Sequence, residues 1–172
     1  LILQYNINVF QERQIKYIRI MMNSKSIIDL MIKNEEAFSR LYHKFAAIYP
    51  DSQFWIKLSK EETVHAQWLR ALSQSCDTRV LEVSSLTLSQ IKNMLKTIEE
   101  EINSKKDVSL EGALKKTLHF ENSFIEHSYF DIFSDSSPSA HKVMENLKNE
   151  TLHHIERVEK YLDKQKSDER KV

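Results

Sequence analysis

Glycine occurs only once and proline twice in this chain of 172 residues. Because glycine and proline mark tight turns and interrupt helices, a chain that nearly lacks both has few turns and long elements. After residue 20, apolar residues recur at helical spacing and no segment shows the alternation of a strand. The sequence therefore predicts an all-α protein, with enough residues for one domain that has a buried core.

The charge balance and the cysteine content narrow the class of protein further. Lysine and arginine number 25, and aspartate and glutamate also number 25, so no global basic field favours nucleic acid or acidic lipid. No apolar run approaches the length that spans a bilayer. Cys76 is the only cysteine, which excludes an internal disulfide and an all-cysteine metal site within one chain. We expect a cytoplasmic protein that binds neither nucleic acid nor membranes.

The first residues lack the helical pattern of the rest. We assign residues 1–24 to an N-terminal extension and residues 25–172 to a helical domain with a polar C-terminal tail. The extension has no basic segment followed by an apolar core and a small-residue cleavage site, so it is not a signal peptide. We expect the native domain to begin at Met21 or Met22, which the intact mass of the natively expressed protein would test. No function is assigned to residues 1–20.

Apolar spacing and helix-end residues predict five helices. They cover about residues 26–48, 51–76, a segment that opens at Thr87, 109–133 and 138–162, and the tail beyond 162 should fray. The short link between the first two makes them antiparallel neighbours, whereas the long connection after the second accommodates the extra helix. The expected fold is a four-helix bundle with one crossover connection that carries an extra helix.

Three of the four bundle helices place a carboxylate on the face that should be buried. On a helical wheel of about 100° per residue, Glu35, Glu62 and Glu121 fall within or at the edge of an apolar stripe, and His65 falls near the centre of one. An unpaired carboxylate is very costly to bury, and Glu is almost never fully buried alone. Some cationic partner must therefore compensate these side chains.

The last helix offers two histidines for the inward-facing position. The spacing Glu-x-x-His, which relates Glu62 to His65 in the second helix, relates Glu150 to His153 here. The wheel instead places His154 nearer the apolar stripe. We choose His153, because a helix flanked by an extra element can bury two faces.

A pair of metal ions would explain this set of side chains. Glu and His three residues apart lie on one face of a helix and can reach the same ion or adjacent ions. Four carboxylates balance the charge of two divalent ions, and an oxygen-rich set with two imidazoles favours iron, with manganese as an alternative. Taken singly, Glu35 or Glu121 is more simply a salt bridge at the core edge, for which Lys44, Lys115 and Lys116 are available.

With these residues in place, the chain resembles the ferritin-like di-iron carboxylate superfamily, and within it the rubrerythrin group, over about residues 26–163. The matching stretches are NEEAFSRLY, EETVHAQWL, ALKKTLHFENSFIEHSY and NETLHHIERVEKYL. The resemblance implies that two irons are ligated by Glu35, Glu62, His65, Glu121, Glu150 and His153. It also implies that Glu62 and Glu150 bridge the irons, and that Tyr42 and Tyr129 orient the carboxylates by hydrogen bonds.

Two features depart from the rubrerythrin pattern. One cysteine cannot build the four-cysteine rubredoxin-like module, so electrons would come from a separate donor protein. Phe124 stands where rubrerythrins carry an extra Glu that exchanges with a His ligand, which puts their peroxidase cycle in doubt for this chain. The resemblance implies a di-iron oxidoreductase that reduces hydrogen peroxide or dioxygen, as a homodimer.

Three other functions are compatible with the same residues. A ferritin-like iron-storage protein would need a cage-like oligomer, which gel filtration detects. A di-iron oxygenase would need a channel for an organic substrate. A metal-free helical interaction module would bind no ion, and its stability would not change on addition of ferrous ion.

Overall fold

The computed structural model describes residues 27–49, 52–75, 85–126, 129–130 and 137–169. The helices are α1 (27–48), α2 (Ser52–Gln74), α3 (Ser85–Asn103), α4 (Leu110–Glu126) and α5 (Pro138–Glu169). No strand occurs within the described ranges, so the prediction of an all-α protein is confirmed there. None of these helices combines the length and the apolar character that crossing a membrane requires. The predicted N-terminal extension and the start of the first helix lie outside the described residues.

Two helix ends differ from the predicted ones. Helix α5 continues to Glu169, beyond its predicted end at about residue 162. Intrahelical pairs such as Lys160 with Glu156, 2.7 Å apart, help a polar helix to persist. Helix α4 ends at Glu126 rather than at 133, and residues 129–130 form a short 3₁₀ turn. The rings of Tyr129 and Phe130 in this turn are both buried.

Serine side chains begin α4 and α5. The amide of Gly112 donates to Ser109 Oγ at 3.1 Å, and the amide of Ala140 donates to Ser137 Oγ at 3.2 Å. Each serine satisfies one of the backbone donors that the first turn of a helix leaves free. A Cβ at Gly112 would lie only 3.2 Å from Ser109 Oγ, so the chain's single glycine permits the close approach of this cap.

Helix α3 is attached to α1 at several points. Near its start, Asn34 Nδ2 donates to the carbonyl of Ile91 at 3.4 Å. At its other end, Lys44 Nζ donates to the carbonyls of Glu101, Ile102 and Ser104 at 2.8–3.0 Å. A lysine at this position satisfies the last carbonyls of a helix and complements its negative end. These contacts fix α3 against α1.

Helix α5 packs against α4 and α2. Helix α1 reaches α4 through Phe38, whose ring lies 5.9 Å from Phe120 and 5.3 Å from Phe124 between centroids. It reaches α2 through Phe45, 4.9 Å from the ring of Trp55. The helices α1, α2, α4 and α5 therefore share one buried interior, while their arrangement as a bundle with one crossover remains a prediction.

Candidate metal centre

Five ionisable side chains from α1, α2, α4 and α5 are buried together in this interior. Their residues are between 0% and 5% exposed: Glu35, Glu62, His65, Glu121 and His154. Charged side chains are almost never buried to this degree without paired partners. The apolar stripes place Glu35, Glu62, His65 and Glu121 inward as the sequence predicts, and His154 was the alternative that the wheel favoured.

The first cluster, which we name the Glu35 group, consists of Glu35, Glu62 and His65. His65 Nδ1 lies 2.9 Å from Glu62 Oε2 and 3.7 Å from Glu35 Oε2. The ring of Trp68, one helical turn later, lies 5.4 Å from the His65 ring. One ligand atom of each residue lies within 4.8 Å of the others, a spacing at which one ion could bind all three.

The second cluster, the Glu121 group, consists of Glu62, Glu121 and His154. His154 Nδ1 lies 3.0 Å from Glu62 Oε1 and 3.2 Å from Glu121 Oε1. Tyr42 donates a hydrogen bond of 2.6 Å to the same Glu121 oxygen. Glu62 therefore directs one oxygen to each group and connects the two.

Glu150 provides a second connection between the groups. It can offer a ligand atom within 4.8 Å of His65 and His154, whose rings are stacked with centroids 5.4 Å apart. The Glu150 side chain is 37% exposed, so it approaches the interior from the rim. The structure thus brings the predicted residues Glu35, Glu62, His65, Glu121 and Glu150 together with His154 into one constellation.

Several contacts in this constellation are close without being good hydrogen bonds. Among the described residues, Glu62 Oε1 and His154 Nε2 are buried without a hydrogen-bond partner, although both lie near groups of opposite charge. Buried polar atoms that lack aligned partners are uncommon and costly. Donor atoms that converge without pairing fit a common ligand between them, and carboxylate oxygens with imidazole nitrogens suit iron or manganese.

Burial and charge shift the protonation of the Glu35 group in opposite senses. Burial raises the pKa of Glu35 from its ordinary value of 4.5 to about 8, although the neighbouring His65 imidazole opposes the rise. Burial acts to lower the pKa of His65, but the neighbouring carboxylates of Glu35 and Glu62 outweigh it and raise the pKa to about 10. At neutral pH Glu35 is therefore mainly protonated, and His65 carries a positive charge.

In the Glu121 group, the shifted pKa values favour a protonated His154 beside an ionised Glu62. Burial acts to lower the pKa of His154, but the charges of Glu62 and Glu121 raise it well above its usual range. Burial acts to raise the pKa of Glu62, but the charge and close contact of His154 hold it well below its usual range. Without a metal ion, protonated imidazoles can thus compensate the buried carboxylates.

A further acidic side chain, Glu61, supports His154 from outside. Glu61 Oε2 lies 3.4 Å from His154 Nε2, and Arg157 donates to both Glu61 oxygens at 3.1 and 2.5 Å. Partial burial acts to raise the pKa of Glu61, but the nearby His154 imidazole and the hydrogen bonds from Arg157 outweigh it and lower the pKa to about 2. Sequence reasoning missed Glu61, although its position directly before the inward-facing Glu62 could have drawn attention to it.

His153 requires a correction. Its side chain is 63% exposed, 3.7 Å from Glu150, and lies outside the buried constellation. The buried stripe of α5 runs through Met144, Leu147, Thr151, His154 and Val158, a continuous alternation of three- and four-residue steps. His153 is rotated by about 100° from that stripe. The prediction that His153 faces the interior is therefore wrong, and His154 takes the place expected of it.

The two tyrosines differ in their contacts. Tyr42 donates to Glu121, from a different helix, and thereby orients a carboxylate of the constellation. The Tyr129 ring is buried against Phe124, 4.3 Å between centroids, but its hydroxyl has no hydrogen-bond partner among the described residues. The hydrogen bond expected of Tyr129 is thus not seen in this part of the chain.

The simpler interpretation, lysine salt bridges to Glu35 and Glu121, does not match the contacts. Lys115 pairs with Glu111 at 2.8 Å, and Lys116 pairs with Glu101 at 2.5 Å. Lys44 binds the end of α3. The partners of Glu35 and Glu121 within the described residues are histidines and a tyrosine.

Comparison of the chain with family models, with curated proteins and with solved structures finds no match. The site is therefore interpreted from its own geometry.

Proposed function

We propose that the chain binds two metal ions, iron in the first place, and acts as a rubrerythrin-like oxidoreductase that reduces hydrogen peroxide or dioxygen. The observation that carries the proposal is the overlap of three ligand groups, because Glu62 belongs to two of them and Glu150 can reach both histidines. Two adjacent ions with shared carboxylates need such an overlap. The ferritin-like arrangement, with α3 in the crossover between α2 and α4, belongs to the same proposal.

Each residue has a defined part in this proposal. Glu35 and His65 would hold one ion, and Glu121 and His154 the other, with Glu62 and Glu150 between them. Two ferrous ions supply two electrons at one place, the number that, with two protons, reduces hydrogen peroxide to two molecules of water.

The surroundings of these ligands would control orientation and access. Tyr42 fixes the Glu121 carboxylate by donating to one of its oxygens. The apolar rings of Phe38 and Phe124, 1% and 5% exposed, limit the access of bulk water. The separate electron-donor protein and the homodimer remain part of the proposal through the resemblance alone.

Iron content tests the centre. The chain is purified anaerobically, loaded with ferrous ion and analysed for iron per chain, together with the double variant Glu62→Ala, Glu150→Ala. We expect about two irons per chain in the wild type and a loss in this variant. The control is Glu126→Ala, Glu145→Ala, which removes two exposed carboxylates from α4 and α5 and should retain both irons.

Peroxide kinetics test the activity. Ferrous protein is mixed with hydrogen peroxide in a stopped-flow instrument, and oxidation should be faster than that of free ferrous ion. An equal rate would contradict the peroxidase activity while leaving the metal centre intact. Gel filtration at many times 20.4 kDa would favour a cage-like storage protein instead.

A metal-free helical protein is the second candidate. The raised pKa values of His65 and His154 favour it, since imidazolium ions can neutralise Glu62 and its neighbours without a metal. This candidate predicts no retained iron in any variant and no change in thermal stability on addition of ferrous ion. The iron measurement above therefore separates the two.

A further inference from the structure

A cleft of about 280 Å³ lies between α3 and α4. Phe124 and Tyr129 line it and pack against each other, 4.3 Å between ring centroids. Phe124 also packs on Phe38, one helical turn after Glu35, and the Tyr129 hydroxyl is buried, which raises its pKa well above the usual range. The cleft and the carboxylates are therefore separated by a layer of aromatic side chains.

The lining changes from apolar to polar across the cleft. The buried lining residues are mainly apolar or aromatic, among them Ile91, Phe120, Phe124 and Tyr129. The exposed ones are polar: Asn93, Thr97 and His119. Small-molecule sites characteristically combine an apolar interior with a few polar groups that fix orientation.

We propose that this cleft is a binding site for a single-ring, mainly apolar organic molecule. Its ring would pack on Phe120, Phe124 and Tyr129, and a polar substituent would face Asn93 and His119 at the rim. A cavity of roughly 150 Å³ lined by apolar side chains already holds benzene. The volume of about 280 Å³ therefore suits one ring with a short substituent.

Occupation of the cleft requires no metal, since none of the carboxylates of the constellation lines it. The proposed binding site is therefore independent of the proposed metal centre. If both hold, the bound molecule lies beside the centre, behind Phe124 and Tyr129.

The test uses 4-fluorophenol as the probe and the full chain with a chelator present. Its ¹⁹F NMR signal is titrated against the wild type and two variants of neighbouring exposed residues on α3. Thr97→Trp places a large side chain at the rim, whereas Lys96→Trp adds the same side chain outside the lining. We expect saturable binding that is weakened at least about tenfold in Thr97→Trp and unchanged in Lys96→Trp.

A measurement on the wild type makes the test independent of how the variants fold. With methyl-labelled methionine, the probe should shift the methyl signal of Met94, which lines the cleft. It should leave that of Met144, buried on α5, unchanged. Absence of saturable binding would overturn the proposal, as would equal affinity in both tryptophan variants or a shift at Met144 without one at Met94.

Discussion

The Glu35 group and the Glu121 group contain the same kinds of ligand atoms but are supported differently. In the Glu121 group, Tyr42 donates a hydrogen bond to Glu121, and Glu61, which is bound by Arg157, lies 3.4 Å from the far nitrogen of His154. In the Glu35 group, His65 Nδ1 lies 3.7 Å from Glu35, beyond hydrogen-bond distance, and an aromatic ring packs on the imidazole.

This difference bears on the order in which ions would bind. Outer hydrogen bonds fix the orientation of a ligand before the ion arrives, and they raise metal affinity. Burial keeps Glu35 protonated near neutral pH, so an ion entering its group must displace that proton. We therefore expect the Glu121 group to bind the first ion and the Glu35 group the second.

The largest effect should come from the two adjacent histidines of α5. His154→Ala removes the buried imidazole of the Glu121 group, whereas His153→Ala removes an exposed one. We expect His154→Ala to lower the affinity for the first ferrous ion by more than about 100-fold, beyond the usual effect of an outer partner. His153→Ala should leave it unchanged. Anaerobic competition with a chelator measures both, and equal losses would contradict the placement of His154.

The second largest effect should be the dependence of metal affinity on pH, because binding releases protons. Near pH 7, metal binding must displace protons from His65, His154 and Glu35, whose pKa values are raised, to about 10 for His65 and about 8 for Glu35. The two histidines alone should make affinity rise roughly 100-fold per pH unit. Titration calorimetry in two buffers of different ionisation enthalpy counts the protons, and an uptake or no release would contradict the prediction.

The metal-free chain should show the opposite dependence of stability on pH. The raised pKa of Glu35 contributes stability below pH 4.5 that is lost as pH rises through about 8. The raised pKa of His65 contributes stability below pH 6.5 that is lost as pH rises through about 10. The lowered pKa of Glu61 contributes stability above pH 4.5 that is lost as pH falls through about 2. With a chelator present, the melting temperature should fall between pH 6 and pH 9, and a rise would contradict these shifts.

Periodicity in the sequence located most of the buried constellation. Glu35, Glu62, His65 and Glu121 each interrupt an apolar stripe within one helix, and such a stripe is a local property. The choice between His153 and His154 was wrong because a spacing rule was preferred to the helical wheel. The buried stripe of α5 includes His154, so the helical wheel predicted the buried histidine correctly.

Partners from distant segments could not be predicted in this way. Glu61 meets Arg157 across 96 residues of sequence, and Tyr42 meets Glu121 across 79. Periodicity predicts which face of a helix is buried, but it does not predict the axial register between two packed helices. The cleft between α3 and α4 depends on that same axial setting.

The next largest effect should be on stability, and it should differ between the two tyrosines. Tyr42→Phe removes the donor to a buried carboxylate, so unfolding free energy should fall by about 1–3 kcal/mol. Tyr129→Phe removes a hydroxyl without a partner among the described residues, so it should change stability by less than about 0.5 kcal/mol or stabilise slightly. Urea unfolding of both variants with a chelator present measures the difference. Equal destabilisation would show that the Tyr42 contact does not support the Glu121 group.

The smallest effect should come from the outermost support. Arg157 and Glu61 are each about a quarter exposed, 27% and 26%, so loss of their pair in Arg157→Gln should cost about 1 kcal/mol or less in stability. The substitution should also affect His154, because Glu61 is then positioned less firmly beside His154 Nε2. We expect a loss of up to about tenfold in affinity for the first ferrous ion, with the second ion little affected. Lys160→Gln, which breaks an exposed pair with Glu156 on the same helix, should change neither affinity. A loss confined to the second ion would mean that the Glu121 group is not the one supported through Arg157.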